Sequence, residues 1–141
     1  MGNEDLNKKL EYCRILTLTT KTTYNQIGEV DCPILGEKVA FTAKGFHHLS
    51  NKPDGTVRDV EERIHKLVLV PLAVPVIKNC IGITEERYVE IRASRKKGAK
   101  ILKGKTYTLV AKVGRKKPVA VRVILLRVIG GKLIFWSIMK D

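Results

Sequence analysis

Three stretches towards the C-terminal end of the chain are rich in β-branched and aromatic residues. This pattern predicts three consecutive β-strands, over Thr106–Val113, Val119–Ile129 and Lys132–Met139. The Gly130-Gly131 pair between the last two strands is typical of a two-residue hairpin turn. We therefore expect the last two strands to form an antiparallel hairpin.

A two-residue turn also fixes which residues of this hairpin face each other. The predicted pairs are Ile129 with Lys132, Leu126 with Phe135, Ile124 with Ser137, and Arg122 with Met139. This register places an arginine and a serine close together on a side that is otherwise apolar. Burial of a guanidinium without a partner is costly, so a buried Arg122 needs a counter-charge or an anionic ligand. The alternative is that Arg122 is a structural residue at the margin of the sheet.

The chain before this hairpin contains helical patterns. An apolar stripe predicts an amphipathic helix that starts near Thr56 and ends or kinks at Pro71. The stripe consists of Val57, Val60, Ile64, Leu67 and Val68.

The other predicted elements are a helix over about Glu4–Arg14, a strand or extended loop over Thr17–Thr23, a turn-rich connection from Gly28 to Gly36, a strand over Lys38–Thr42, a short helix over Pro75–Cys80, a strand over Glu86–Ser94, and loops over Arg95–Gly104 and Gly114–Pro118. Helices followed by antiparallel strands favour a single α+β domain with helices on one face of a sheet.

The charge of the chain is strongly positive and unevenly distributed. The formal net charge is +13, and 15 of the 27 Lys and Arg residues lie between Ile91 and Lys140, where there is no Asp or Glu. A basic half on a small sheet protein is typical of a nucleic-acid partner. A solubilising surface is the alternative, but such surfaces usually mix both signs, and an anionic membrane surface is a weaker one.

The sequence contains no signal for export or membrane insertion. The polar N-terminal residues do not resemble a signal peptide, and the longest apolar run, Leu67–Ile77, is too short to span a bilayer and contains two prolines. Three widely spaced cysteines lack the spacing of metal ligands, so we expect reduced thiols. These features predict a soluble cytoplasmic protein with no cofactor.

Two histidines and one arginine are the first candidates for chemistry. His47 and His48 follow a predicted strand, and either imidazole could serve as a general acid or base or be a hydrogen-bonded structural residue. Neither lies near a Cys or an acid at ligand spacing, so we expect no zinc site. Arg58 at a helix start could bind an anion, or it could form an ion pair with Glu62 four residues later.

The predicted strands supply a second group of candidates. Lys105 and Tyr107 lie on a strand next to Arg122 and Ser137, and the exposed loop before Pro118 adds three cations, Arg115, Lys116 and Lys117. The chain contains no Gly-rich phosphate loop, no nucleophile elbow and no pair of carboxylates typical of a glycosidase. Acids are absent from the strand half, so cleavage of a phosphodiester there would proceed without a metal ion.

The order of six segments resembles a phage-associated nuclease family of the barnase–EndoU–colicin–RelE-like superfamily. The segments are VAFTAKGFHHLS, VRDVEERIHKL, PLAVPVIKN, KTYTLVAKV, VAVRVILLRV and GGKLIFWSIMK. The resemblance covers roughly Glu37 to Lys140, so residues 1–36 would be an N-terminal helix and loop, and residues 37–140 the nuclease core. It implies N-terminal helices packed on a four-stranded antiparallel sheet.

The resemblance also implies a metal-independent endoribonuclease, in which the ribose 2′-OH attacks the adjacent phosphate. The family's histidine corresponds to His47 or His48, with His48 preferred on motif position, and its phosphate-binding cations correspond to Arg58 and Arg122. Its hydroxyl corresponds to Ser137. Trp136 and Tyr107 are candidates for stacking on a base, although both are residue types common in cores.

Two departures from the family pattern are visible. No glutamate base is placed as in barnase, and no second histidine follows in the strand half. Activity would then be slow, would need a ribosome or another partner to position the RNA, or would be lost. The alternatives are a non-catalytic RNA-binding protein and a toxin-like domain whose basic face binds an acidic antitoxin or immunity protein.

Overall fold

The structure of this chain is a computed structural model that describes residues 2–92 and 101–141. Its helices are α1 (Gly2–Ile27), α2 (Ala43–Ser50), α3 (Val60–Leu69) and α4 (Ala73–Asn79), with a 3₁₀ turn at Val70–Leu72 between the last two. Its strands are β1 (Glu29–Cys32), β2 (Glu37–Ala40), β3 (Ile83–Arg92), β4 (Ile101–Val113), β5 (Val119–Val128) and β6 (Leu133–Lys140). The predicted α+β class is confirmed.

The described strands form one mixed sheet in the order β1-β2-β6-β5-β4-β3. The last four strands of the chain, β3 to β6, pair with one another in antiparallel fashion, whereas β2 and β6 are parallel and meet at Ala40 and Ile134. The prediction of a four-stranded antiparallel sheet is therefore wrong in its finer detail. The segment predicted as a turn-rich connection forms β1 and a tight turn, and Gly36 in that turn has a φ of 65°.

The β5–β6 hairpin follows the predicted register over only part of its length. Arg122 faces Met139 and Ile124 faces Ser137 as predicted, but Leu125 rather than Leu126 faces Phe135. The tight turn is centred on Ile129 and Gly130, because the Gly131 amide donates to the Val128 carbonyl and Gly130 has a φ of 79°. The one-residue difference is absorbed by a bulge, which leaves Trp136 without a partner on β5.

The first helix continues through the threonine-rich segment that was predicted as strand or extended loop. Thr17 donates its hydroxyl to the Cys13 carbonyl at 2.7 Å, and Thr20 and Tyr24 are buried. Tyr24 also donates to the Thr42 carbonyl at 2.6 Å. Burial of one helical face therefore outweighs the β-propensity of threonine, which is a weak preference.

The second predicted amphipathic helix starts four residues later than expected. Asp59 is the N-cap and accepts from the Glu62 amide at 2.9 Å, so α3 begins at Val60. Val57, which was assigned to the buried stripe, lies before the helix and is 63% exposed. Pro71 ends α3 as predicted, within the 3₁₀ turn.

The remaining predicted elements agree with the structure apart from their bounds. The strand Glu86–Ser94 corresponds to β3, and the short helix Pro75–Cys80 to α4. Part of the predicted loop Arg95–Gly104 lies outside the described residues, while Ile101–Gly104 belongs to β4. In the described part of the chain, no helix combines the length and the apolar character needed to cross a membrane.

The helices pack on one face of the sheet. Val121, Val123 and Leu125 of β5 are fully buried and belong to the same core cluster as residues of every α-helix. Tyr24 contacts Phe41 and Phe135 edge to face, with ring centroids 5.4 and 5.9 Å apart. This aromatic group connects α1 to β6 beside the start of α2.

Candidate active site

Helix α2 approaches β6 closely because it carries glycine at the contact. Thr42 is its N-cap and accepts from the Gly45 amide at 3.3 Å. A Cβ atom on Gly45 would lie 2.3 Å from the Phe135 carbonyl oxygen and 2.7 Å from the Tyr24 hydroxyl. The absence of a side chain thus allows α2 to lie directly on β6, with His48 one turn later on the same face.

His48 packs against the bulged tryptophan of β6. The imidazole of His48 is stacked on the Trp136 indole with centroids 4.3 Å apart and an interplanar angle of 17°. The side chain of His48 is only 8% exposed, whereas Trp136 is half-buried. The Lys44 ammonium lies 5.8 Å from the centroid of the Trp136 ring.

Arg58 connects the second helix to the third. Its Nε donates to the His48 carbonyl at 3.1 Å, and its Nη2 lies 3.4 Å from His48 Nε2. Its Nη1 donates to Glu62 Oε1 at 2.5 Å, which is the ion pair that the sequence left open as an alternative. The buried guanidinium therefore holds the two helices together through three contacts.

Lys66 connects the third helix to β6. Its ammonium donates to Ser137 Oγ at 3.1 Å and to the Ile138 carbonyl at 3.0 Å. Both Lys66 and Ser137 are buried. We call the residues of these two contact sets, which interact electrostatically through Arg58, Glu62 and Lys66, the buried polar cluster, of which only Glu62 is partly exposed. Its members are His48, Arg58, Glu62, Lys66 and Ser137.

Burial shifts the protonation of two groups in the cluster. It lowers the pKa of His48 to about 4, and the positive charges of Arg58, Lys66 and His47 act in the same direction. Burial also lowers the pKa of Lys66 to about 8, with Arg58 adding to the shift and Glu62 opposing it. At neutral pH the imidazole is therefore neutral and most of the lysine is charged.

The structure brings together three of the five residues that the sequence predicted to be catalytic, namely His48, Arg58 and Ser137. His47 is exposed, and its Nδ1 lies 3.3 Å from the Asn51 side-chain nitrogen. Arg122 is paired with Asp141, to which it donates from Nε at 3.1 Å and from Nη2 at 2.8 Å. The counter-charge predicted for Arg122 is thus Asp141.

The residues predicted to bind RNA lie in three separate places. Trp136 borders the buried polar cluster, as its stacking on His48 shows. Lys105 and Tyr107 lie on β4, where the Lys105 ammonium pairs with Glu86 at 2.8 Å and lies 5.3 Å from the Tyr107 ring centroid. Arg115, Lys116 and Lys117 are exposed in the loop between β4 and β5.

Sequence reasoning missed Lys66 and did not assign Glu62 to the site. Arg58, Glu62 and Lys66 are spaced four residues apart, a visible signal for side chains on one side of the helix that was predicted to start near Thr56. That side lies away from the apolar stripe, where charged residues of an amphipathic helix normally face solvent. The contacts of Arg58 and Lys66 show that this side faces α2 and β6.

Neither a metal-binding group among the described residues nor a match to a known protein was found. Within residues 2–92 and 101–141, no group of three or more His, Cys, Asp or Glu side chains is arranged to hold a metal ion. Comparison of the chain with protein-family models, curated proteins and solved structures found no match. The geometry of the site is therefore the basis for the proposed function.

Proposed function

We propose that this protein is a metal-independent endoribonuclease whose active site is the buried polar cluster. The observation that carries the proposal is a pair of buried contacts, Arg58 with His48 and Lys66 with Ser137, whose charges are close enough for Arg58 and Lys66 both to lower the pKa of His48. The cluster holds two cationic side chains against one carboxylate, Glu62. Such an arrangement favours the extra negative charge of a phosphoryl group in its transition state.

The residues of the cluster can be assigned to the steps of an RNA cleavage. The ribose 2′-oxygen attacks the adjacent phosphorus, so that an O2′–P bond forms, the P–O5′ bond breaks and a cyclic phosphate remains. Neutral His48 accepts the proton of the 2′-OH, and the Lys66 ammonium donates a proton to the leaving 5′-oxygen. Arg58 and Ser137 donate hydrogen bonds to the phosphoryl oxygens.

The burial of the cluster constrains how RNA would reach it. His48, Lys66 and Ser137 are each less than a tenth exposed. Entry of a phosphate therefore requires side-chain movement at the rim, where Lys44 lies over Trp136. This requirement supports a slow enzyme, or one that depends on a partner such as the ribosome to present its RNA.

The two adjacent histidines provide a matched test of the proposal. Purified protein is incubated with mixed RNA in the presence of EDTA, and the product ends are analysed. We expect His48→Ala to lower the cleavage rate at least about 100-fold, the usual contribution of a general base, and His47→Ala to leave it unchanged. Products should carry cyclic phosphates, and equal activity in both variants would exclude His48 from the reaction.

A non-catalytic RNA-binding protein is the second candidate. Arg58 and Lys66 both have partners within the chain, as the cations of a purely structural cluster would. The exposed cations of the β4–β5 loop would then suffice for binding to phosphates. RNA that is bound but intact after incubation with wild-type protein would favour this candidate. Co-purification with an acidic protein in place of RNA would favour a toxin-like domain instead.

A further inference from the structure

A groove with aromatic walls lies on β3, β4 and β5, away from the buried polar cluster. Its volume is about 650 Å³, and it is lined by side chains that include Tyr88, Lys103, Lys105, Tyr107, Arg127 and Ile129. Lys105 faces both Tyr88 and Arg127 across the sheet, and Tyr107 faces the buried Leu125. The groove therefore opens on the same face of the sheet that the helices cover further along.

Both tyrosines line this groove. Tyr88 faces Lys105, which is two residues from Tyr107 on the same strand, so the tyrosines are diagonal neighbours on one face. Diagonal positions on a sheet are about 7–8 Å apart, so the two side chains stand close together on this face. The Lys105 ammonium lies 5.3 Å from each ring centroid, so it fills the space between the rings, and a base would enter by displacing it.

The two tyrosines differ in exposure, and the groove also contains charged side chains. Tyr107 packs against the core, whereas Tyr88 is 83% exposed and can adjust to a ligand. Lys103, Lys105 and Arg127 supply positive charge. Lys105 and Arg127 are paired with Glu86 and Glu37, and Glu90, which also lines the groove, faces Lys103 on the neighbouring strand. A ligand with a flat apolar face and an adjacent anionic group matches this combination.

We propose that the groove binds one unpaired base of single-stranded RNA between Tyr88 and Tyr107, with Lys103 and Lys105 at the flanking phosphates. The inference rests on the proposed function, because it names the kind of RNA that the buried polar cluster would receive. Arg127 faces Leu133, three residues before Trp136, or roughly 10 Å along β6. A strand of a few nucleotides would span the distance between the groove and the cluster.

An unpaired base is favoured over a duplex for a steric reason. Both faces of a base within a helix are already stacked, so a duplex offers no ring to enter between two tyrosines. The groove would therefore select single-stranded segments, loops or ends. Its aromatic walls would bind different bases with similar affinity, because every base has a flat face.

The test measures binding separately from cleavage. The probe is a 2′-O-methyl RNA dodecamer, which lacks the attacking hydroxyl, carrying one 2-aminopurine whose fluorescence falls on stacking. The same sequence paired to its complement is the duplex probe. The proteins are wild type, Tyr88→Ala, Tyr88→Phe and Tyr12→Ala, the last removing an exposed tyrosine of α1 as a matched control.

We expect wild type to bind the single strand at least ten-fold more tightly than the duplex and to quench the probe. Tyr88→Ala should weaken binding to the single strand about ten-fold, while Tyr88→Phe and Tyr12→Ala should bind as wild type does. Equal binding by Tyr88→Ala and Tyr12→Ala, or equal affinity for the duplex, would overturn the inference. Binding that depends on Tyr88 without any cleavage of ordinary RNA would refute only the proposed catalysis. RNA cleavage that is unchanged by substitution of Tyr88 would refute only the proposal that the groove binds a base.

Discussion

His48 is a buried imidazole whose environment disfavours its protonated form. Its ring lies against Trp136, and the guanidinium of Arg58 lies 3.4 Å from its Nε2. Its pKa of about 4, against an ordinary 6.5, means that the folded state binds fewer protons than the unfolded state between these two pH values. Folding should therefore become less favourable as the pH falls through this window.

The pH dependence of stability should show that the pKa of His48 is lowered in the folded protein. We expect the free energy of unfolding of the wild type to fall between pH 6.5 and 4 by about 2–3 kcal/mol more than that of His48→Gln, which has no imidazole to protonate. Urea unfolding of both proteins at pH 4.5 and pH 7 measures the difference. Parallel curves would show that His48 is solvated in the folded protein.

Some residues of the buried polar cluster could be named as candidates from the sequence when their type suited the chemistry. His48, Arg58 and Ser137 were named in this way, although their contacts were not predicted. Lys66 was missed because a lysine on a charged helix side is normally exposed. Its burial depends on the Ser137 hydroxyl and the Ile138 carbonyl, which lie more than 70 residues away along the chain.

At the scale of single elements, the position of α2 is decided by one close contact. Gly45 lies against the Phe135 backbone, where even a methyl group would overlap the carbonyl oxygen. The helix also carries His48, so any displacement of α2 would move the imidazole away from Trp136 and Arg58. Packing of this element and geometry of the site are thus coupled.

Substitution of this glycine should be destabilising. We expect Gly45→Ala to lower the free energy of unfolding by about 1–3 kcal/mol, the typical cost of overpacking. Gly82→Ala is the control, because a Cβ there meets no atom within 4 Å and the residue does not have a positive φ. Its stability should remain within about 0.5 kcal/mol of wild type. Urea unfolding monitored through Trp136 fluorescence measures both variants, and equal stabilities would mean that α2 shifts without cost.

The elements were predicted best where periodicity alone determines them. The strands β4 to β6 and the helix before Pro71 were found from alternation and from the apolar stripe. Two features were not found in this way: the helical structure of the threonines in α1, and the β1–β2 hairpin. Both depend on tertiary contacts, such as that of Tyr24 with Thr42. The bulge at Trp136 was missed because a Gly-Gly pair does not reveal which two residues form the turn.

At the scale of the whole molecule, the basic residues extend beyond any single site. The β4–β5 loop carries Arg115, Lys116 and Lys117, all exposed and remote in sequence from the buried polar cluster. A protein with a net charge of +13 should attract a polyanion over much of its surface. The loop is nonetheless the densest run of exposed cations among the described residues. Its contribution to RNA binding can therefore be measured separately from that of the overall positive charge.

The dependence of RNA affinity on salt concentration should show whether the β4–β5 loop contacts the phosphates of RNA. The loop variant carries Gln at Arg115, Lys116 and Lys117, and its control carries Gln at Lys8, Lys21 and Lys78, exposed lysines of the helices. Both variants lose the same charge. We expect the loop variant to reduce the slope of log Kd against log salt concentration by about 2, and the control by much less, because each contacted phosphate of a single strand contributes about 0.7. Equal slopes in the two variants would indicate that RNA is bound by overall charge alone.

The position of β6 between β2 and β5 delays the assembly of the cluster during synthesis. His48 and Arg58 are made early, but Ser137 is translated 89 residues after His48. At about 5–20 residues per second, translation of this interval takes roughly 5–20 s. Throughout that time the helices lack the strand on which α2 and α3 rest. A nascent chain would therefore carry the imidazole and guanidinium of the cluster but not the hydroxyl that Lys66 contacts, so the cluster would stay incomplete until Ser137 has been synthesised.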